Sequence, residues 1–589
     1  MIYFTIKYII KKKMEHNKLR NYMMQFSTEQ LKKYLDENLL VALLEWNNDD
    51  GIFTKAKLSE IILTINGLAI LNNKDFRKEI IKRFSESELI ELKKLLPLKY
   101  KNLENLEEIA ETIANQPWKQ SLLTEKILEN IGCTSSEIFR TTDDNIESVV
   151  SIKSHEKFYE LLDYQYIIRQ KVLTKLKSGD DLTRMLVHMP TGTGKTKTAM
   201  HIICNHYNYT LKKKGLILWV AHTKELLDQA YETFQNVWSN IGNGEITTYR
   251  LYGEFEIENN ITEFNGFMVC GIHKLMSIKK SNRKLYDEIK RDVRLIVYDE
   301  AHKAAASKTK DVIEDLMTRK NGLEDRALLG LTATPGRNCE ISIDNKVLSA
   351  MFDGCLITID TKLMNEVNYS HSEAVNMKAP DDIIRYFQNK GVLAKVQKEE
   401  LTYENDIKKE ELEQIRIIGN ANGYDDFSEK SLEVIAKSKN RNMKIIQRLT
   451  ELDDEKIPTI VFACSVQHAQ ILSSLLTLQG IKNVCVFGKM PMEDRNEAIK
   501  RFKNREDDCN IIINYEVLTT GFDSTNIKCV FITRPTQSIV LYSQMLGRGL
   551  RGPEMGGNEK CLLIDVKDNL EKFNENMAFS HFNNYWGGM

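Results

Sequence analysis

The order of apolar and polar positions changes character near residue 150 of this chain. Before that point it is helical. Ser27 and Gln30 stand ahead of Leu31, Tyr34, Leu35, Leu39, Leu43 and Trp46. A serine three places before a glutamine is a capping box, each side chain satisfying the other's free backbone amide, and the apolar spacing that follows is that of one helix face. Ser85 and Glu88 repeat the signal, and Pro97, which cannot continue a helix, closes that segment. Leu106 to Ile113 and Leu122 to Ile131 carry the same stripe. No repeat period links these segments and no cluster of reactive side chains lies among them. They predict a helical accessory domain over 24–148 that docks a nucleic acid or a partner.

Beyond 150 the pattern becomes short apolar runs separated by helical stretches. The runs are RMLVHM (184–189), LILWVA (216–221), FMVCGI (267–272), RLIVYD (294–299) and ALLGLT (327–332). Strands apolar on both faces and joined by helices belong to a parallel sheet covered on both sides. A second set follows: TIVFAC (459–464), NVCVFG (483–488), NIIINY (510–515), CVFITR (529–534) and CLLIDV (561–566). Between them, 346–440 is mixed and charge-rich. The predicted class is α/β. Two parallel-sheet domains, 149–345 and 441–570, are joined by a linker or insert at 346–440 and followed by a tail at 571–589.

Composition narrows the functions open to such a chain. Its 589 residues suit three or four domains. Lys and Arg number 82 and Asp and Glu 83, a net charge of -1. A basic coat is excluded, so a nucleic acid would need a local groove. The scarcity of Gly (29) and Pro (9) excludes a fibrous or low-complexity chain. Ten cysteines occur without a CxxC pair, which supports neither a zinc ribbon nor a disulfide framework and fits a reducing cytoplasm. No apolar run approaches the roughly 18 residues of a membrane span. The opening MIYFTIKYIIKKK places its charges after its apolar run, the reverse of a signal peptide. Met14, Met23 and Met24 are alternative starts, and 1–23 is expected to be an extension outside the fold.

The first chemical motif is MPTGTGKT, Met189 to Thr196, after a predicted strand and before a helix. That is the setting of a P-loop. Thr191, Gly192, Thr193 and Gly194 would turn backbone amides toward phosphates, helped by the helix dipole. Lys195 would reach the β- and γ-phosphates, and Thr196 would ligate Mg²⁺. The second is LIVYDEAH, Leu295 to His302, which delivers two adjacent carboxylates to the end of a strand. Asp299 would hold Mg²⁺, and Glu300 would orient and deprotonate an attacking water. A lone Asp-Glu pair would be a solvated loop. At a strand end downstream of a P-loop it points to an ATPase.

Further motifs occur in a fixed order: LLDYQ ending at Gln165, WVAHTKELLDQA (219–230), GLTATPGR (330–337), VFACSVQHA (461–469), VLTTGFD (517–523) and QMLGRGLR (544–551). As a set they resemble the superfamily-two helicase-like ATPases over about 150–570. The resemblance implies two RecA-like domains that close on ATP. It gives Gln165 the adenine and Asp523 a place in the nucleotide site. Thr332 and Thr334 would couple that site to the domain gap, and Gln544, Arg548 and Arg551 would complete it from the second domain. Thr223, Lys224, Thr519 and Thr520 would grip a nucleic-acid backbone. One motif departs from the family: VCGIHKL has Gly271 where a phosphate-binding Thr is usual. His222 and His273 lack ligand spacing and suggest no metal site.

The TTGFD and QMLGRGLRGP forms differ from those of DEAD-box RNA helicases. They are similar to the motors of type I and type III restriction enzymes and to the excision-repair helicases. The resemblance thus implies an ATP- and Mg²⁺-dependent DNA helicase or translocase in bacterial restriction, phage defence or repair. No PD-(D/E)xK pattern accompanies it, so cutting would need a nuclease or other defence or repair subunit as partner. The rivals are an RNA helicase and a nucleotide-gated scaffold.

Overall fold

A computed structural model describes residues 18–47, 53–139, 147–155, 157, 159–177, 182–258, 261–318, 326–335, 343–359, 382–404, 406–407, 427–519, 521–522, 524–536 and 538–567. Thr520 and Asp523 therefore lie outside the described residues.

The N-terminal part is helical, as its pattern predicts. Ser27 and Ser85 each form a capping box, with Gln30 and Glu88. The stripes at Leu106 and Leu122 become helices Leu106–Ala114 and Leu122–Ile131. Leu19 and Met23 are buried in the core of these helices, so the helical unit takes in part of the stretch expected to lie outside it.

The first sheet contains β1 (Val149–Lys153), β2 (Leu182–His188), β3 (Leu216–Ala221), β4 (Glu245–Leu251), β5 (Gly266–Gly271), β6 (Val293–Asp299), β7 (Arg326–Thr332) and β8 (Leu356–Thr358). Their order is β1-β4-β5-β3-β6-β7-β2-β8. All neighbours are parallel except β1 with β4. The second sheet contains β9 (Lys395–Leu401), β10 (Thr459–Phe462), β11 (Asn483–Phe487), β12 (Ile511–Tyr515), β13 (Cys529–Ile532) and β14 (Lys560–Val566). Its order is β11-β12-β10-β13-β14-β9, wholly parallel. The segment 346–440, expected as an insert, supplies a strand to each sheet.

Alternate residues of each strand enter different cores. Ile217, Trp219, Leu295 and Val297 face one side of the first sheet, and Leu218, Val220, Ile296 and Tyr298 the other. In the second sheet, Ile460, Ile512 and Val530 join an apolar cluster continuous with the first domain. Val461, Ile513 and Phe531 join the cluster of the N-terminal helices. Helix Val466–Leu478 lies between the second sheet and those helices and is buried without a break from Ile471 to Leu478. The attachment also carries charge: Glu60 of helix Lys55–Asn66 pairs with Lys482 and with Arg20, each at 2.6 Å. The N-terminal helices are thus seated on the second α/β domain.

Among the described residues no helix is long and apolar enough to cross a membrane. None of their His, Cys, Asp and Glu side chains cluster in threes as a metal site would require. The nine described cysteines are buried, and none is joined to another of them by a disulfide.

Candidate active site between the two parallel-sheet domains

Parallel sheets present their ligands at the carboxyl ends of their strands, where loops and helix N-termini converge. Here β2 runs into the loop 189–194 and then helix Lys195–Asn205. Gly194 caps that helix in the left-handed region at φ +78°, where a Cβ would also collide with the Gln165 amide. Thr193 Oγ1 donates to the Pro190 carbonyl at 2.8 Å, which pins the loop to its own start. Gln165 Nε2 and the Tyr164 hydroxyl both donate to the Thr193 carbonyl, at 2.9 and 2.8 Å. Gln165 Oε1 accepts the Leu162 amide at 3.0 Å. The expected adenine reader is therefore also a brace for the phosphate loop. Tyr164, unsuspected from sequence, shares that role and packs edge-on against Phe387 at 4.8 Å.

Asp299 ends β6, and Glu300 follows it in the left-handed region at φ +52°, ψ +52°. A non-glycine residue there costs on the order of 1 kcal/mol. The turn brings the Glu300 carboxylate to 3.6 Å from Lys195 Nζ, with both side chains largely buried. Asp299 Oδ1 accepts the Glu300 amide at 2.9 Å. Burial pushes the Asp299 carboxyl up to about 6, against the pull of the Lys195 cation. Burial acts in the same direction on Glu300. There the charges of Lys195, His302, Lys303 and Arg548 outweigh it and hold the carboxyl below its usual value.

His302 links this pair to β7. The Thr332 hydroxyl donates to the Thr334 carbonyl at 2.8 Å, so toward His302 its oxygen is an acceptor. His302 Nδ1 lies 3.2 Å from Thr332 Oγ1 and 3.3 Å from Glu300 Oε2. A proton on Nδ1 serves both. The Thr334 amide closes the turn onto Thr332 Oγ1 at 3.0 Å.

The second domain meets the loop from the other side. Gly547 packs on Thr191, Leu393 and Arg551 approach Gly192, and Met555 approaches Gly194. The Arg551 backbone bridges that of Leu393. Arg548 is partly buried, and its guanidinium donates to three carbonyls: Phe522 at 2.5 Å, Thr519 at 2.9 Å and Gln544 at 3.3 Å. Burial pushes its pKa down to about 10 while Glu300 opposes the shift, so it keeps its charge near neutrality. Burial also lowers that of Arg551. Gln544 is buried on helix Ile539–Leu546, which leads into the turn that carries Arg548.

The expected nucleic-acid contacts are placed less simply. Thr223 caps helix Lys224–Ile241, accepting the Leu226 amide at 3.4 Å. Lys224 Nζ pairs with both oxygens of Glu254, at 2.5 and 2.8 Å. The Thr519 hydroxyl donates to the Glu516 carbonyl at 2.6 Å. His222 Nδ1 is 3.0 Å from the Tyr298 hydroxyl, and its ring meets that of His273 edge-on at 6.1 Å.

Comparison with known proteins bears on both halves of this site. Residues 158–337 match the family described as "Type III restriction enzyme, res subunit", and 441–552 match the "Helicase conserved C-terminal domain". In both matched segments the chain is similar to the superfamily-two helicases. Over 417 residues it is 25% identical to the putative ATP-dependent helicase Irc3 of Saccharomyces cerevisiae, covering 69% of this chain and 51% of that one. It is 24% identical over 429 residues to a type I restriction enzyme EcoAI endonuclease subunit of Escherichia coli, covering 70% and 46%. The chain thus spans about half the length of the curated relatives it matches. Among solved structures, S. cerevisiae Dbp5 bound to RNA and ADP BeF3 aligns with a TM-score of 0.44 and 15% identity, covering 72% of this chain and 88% of that one.

Proposed function

We propose that this chain is a superfamily-two, ATP- and Mg²⁺-dependent DNA helicase or translocase that hydrolyses ATP to ADP and phosphate between its two sheets. One observation carries the reading. Lys195 and Glu300 of the first domain and Arg548 of the second converge in one partly buried site, with Arg551 against the phosphate loop.

The loop amides and Lys195 hold the β- and γ-phosphates. Thr196 and Asp299 are the residues that would hold the Mg²⁺. Asp299 is a buried carboxylate with one oxygen committed to the Glu300 amide, and oxygen donors suit a hard cation. When bound, the metal neutralises phosphate charge. Glu300 accepts a proton from the water that attacks the γ-phosphorus, and the His302 bridge fixes its carboxylate. Arg548 and Arg551 stabilise the charge that spreads over the transferring group. Thr332 and Thr334 are positioned to relay that state through His302 to the rest of the first domain. In this reading Gln165 braces the loop beside the adenine, Gln544 supports Arg548 through its carbonyl, and Asp523 belongs to the nucleotide site.

A DNA strand would run across both domains at the strand ends, with Thr223, Lys224, Thr519 and Thr520 beside it. Lys224 would exchange Glu254 for a phosphate. The motif forms and the likeness to a restriction subunit favour DNA, and favour a role in restriction, phage defence or repair alongside a nuclease or other subunit. Such a role is a cytoplasmic one. The proposal is tested by steady-state ATP hydrolysis with no polynucleotide, single-stranded DNA, duplex DNA and RNA of matched length, at low and moderate salt. DNA stimulation that weakens steeply with salt supports it. Stimulation by RNA alone assigns the chain to RNA.

A further inference from the structure

The two α/β domains also meet away from the phosphate loop. Arg495, in helix Met492–Lys503, donates through Nη1 to Glu225 Oε1 of the first domain at 2.7 Å. Its Nη2 donates to the Gly488 carbonyl at 3.0 Å. One arm of the fork is thereby fixed at home and the other reaches across. The Arg495 and Glu225 side chains are 13% and 32% exposed, so water screens their attraction only in part.

Glu225 lies in the first turn of helix Lys224–Ile241. Gly521 of the second domain leans on the same turn at φ +69°. A Cβ on Gly521 would lie 2.8 Å from Glu225 Cβ and 3.1 Å from the Leu226 nitrogen. Only glycine fits there, and its backbone rests directly on the first domain. The residues flanking that contact, Thr519 and Phe522, offer the carbonyls that hold the Arg548 guanidinium.

We propose that Glu225 and Arg495 form an inter-domain clasp that seats the loop bearing Thr519, Gly521 and Phe522 on the first domain and so positions Arg548 toward Glu300. Neither clasp residue touches the nucleotide; both are positioning residues. The inference rests on the reading of this site as one that hydrolyses ATP. It makes closure depend on a charge pair encoded 270 positions apart.

The test compares Glu225→Arg, Arg495→Glu and the double swap with the parent. Each single reversal places like charges together and is expected to lower DNA-stimulated kcat by about tenfold, with KM for ATP changed less than about threefold. The swap restores the attraction and recovers most of the loss. Single variants within about twofold of the parent, or a folded swap as slow as the singles, would overturn the clasp. A second readout needs no hydrolysis. Spin labels at Tyr209→Cys and Met443→Cys, exposed positions in the first and second domains, report the inter-domain distance once Cys339 is replaced by serine. Parent and swap should share one short, narrow distribution and the single variants a longer or broader one. Identical distributions in all four would overturn the proposal. A parent without ATP turnover would count against the hydrolysis reading, and the distances would then judge the clasp alone.

Discussion

Arg548→Ala is the substitution whose consequences the structure defines most closely. The guanidinium is partly buried, holds the Thr519, Phe522 and Gln544 carbonyls, and lies within the electrostatic reach of Glu300. Its burial-lowered pKa of about 10 still leaves it charged at assay pH. Arginines that serve a transferring phosphoryl group typically contribute on the order of 10³–10⁵ in kcat, roughly 4–7 kcal/mol of transition-state stabilisation. The alanine variant should lose turnover on that scale. The ground-state contacts of ATP lie mainly with the phosphate loop, so its affinity should change less than about fivefold. A separate cost falls on stability, because each carbonyl left without a donor costs about 1–3 kcal/mol unless water replaces it. Arg548→Lys controls for this: it keeps the charge, but one ammonium cannot reproduce a planar fork serving three carbonyls, and it should still lose about 100-fold or more. Phosphate release, titration with a fluorescent nucleotide and thermal melts of both variants separate the effects. A folded Arg548→Ala protein with less than a tenfold loss in kcat would remove this arginine from the catalytic group.

Lys195→Ala should abolish measurable ATP turnover while leaving the melting profile intact; turnover at the parent rate would remove the phosphate-loop assignment. Gln165→Ala should raise KM by about tenfold for ATP and GTP alike if the amide acts chiefly as a brace on Thr193. A rise for ATP alone would make it an adenine reader. Stability should also fall with acid. Burial pushes the imidazoles of His188 and His468 down to about 3. The unfolded chain takes up protons near 6.5 and the folded chain does not, so stability is complete above that pH. It then drops by about 1.4 kcal/mol per pH unit for each histidine as pH falls toward 3. Urea melts between pH 7.5 and 5.0 should show this slope, shallower in His468→Gln, and a flat profile would contradict it.

Much of the fold was legible because local chemistry and tertiary structure agree. Ser27 with Gln30 and Ser85 with Glu88 form the caps their spacing calls for. Strands β3, β5 and β7 are buried along their whole length, as their unbroken apolar runs require. Lys195, Asp299 and Glu300 were legible because a glycine-rich strand–loop–helix turn followed by an acidic strand end is a combination suited to holding phosphate and metal together. Strand β9 was not. Its sequence, KVQKEEL, carries four charged residues, because it lies on the sheet edge with much of its surface in solvent. Helix Val466–Leu478 announces burial on all sides through ILSSLLTL, but an apolar pattern does not name what covers it; here it is the N-terminal helices. Tyr164 reads as an ordinary core aromatic, and only the fold brings its hydroxyl to Thr193. Glu225 and Arg495 are unremarkable helical charges until the domains meet.

The proposed function stands or falls on two steps: Glu300 takes the proton of a water attacking ATP, and a bound strand promotes that transfer. Both are tested by phosphate release from the parent and from Glu300→Gln, each with and without single-stranded DNA, beside direct measurement of bound ATP. DNA-stimulated release by the parent is expected, with a variant that holds ATP on DNA without releasing phosphate. Turnover by Glu300→Gln near the parent rate, or parallel loss of ATP binding and turnover, would contradict this role for Glu300.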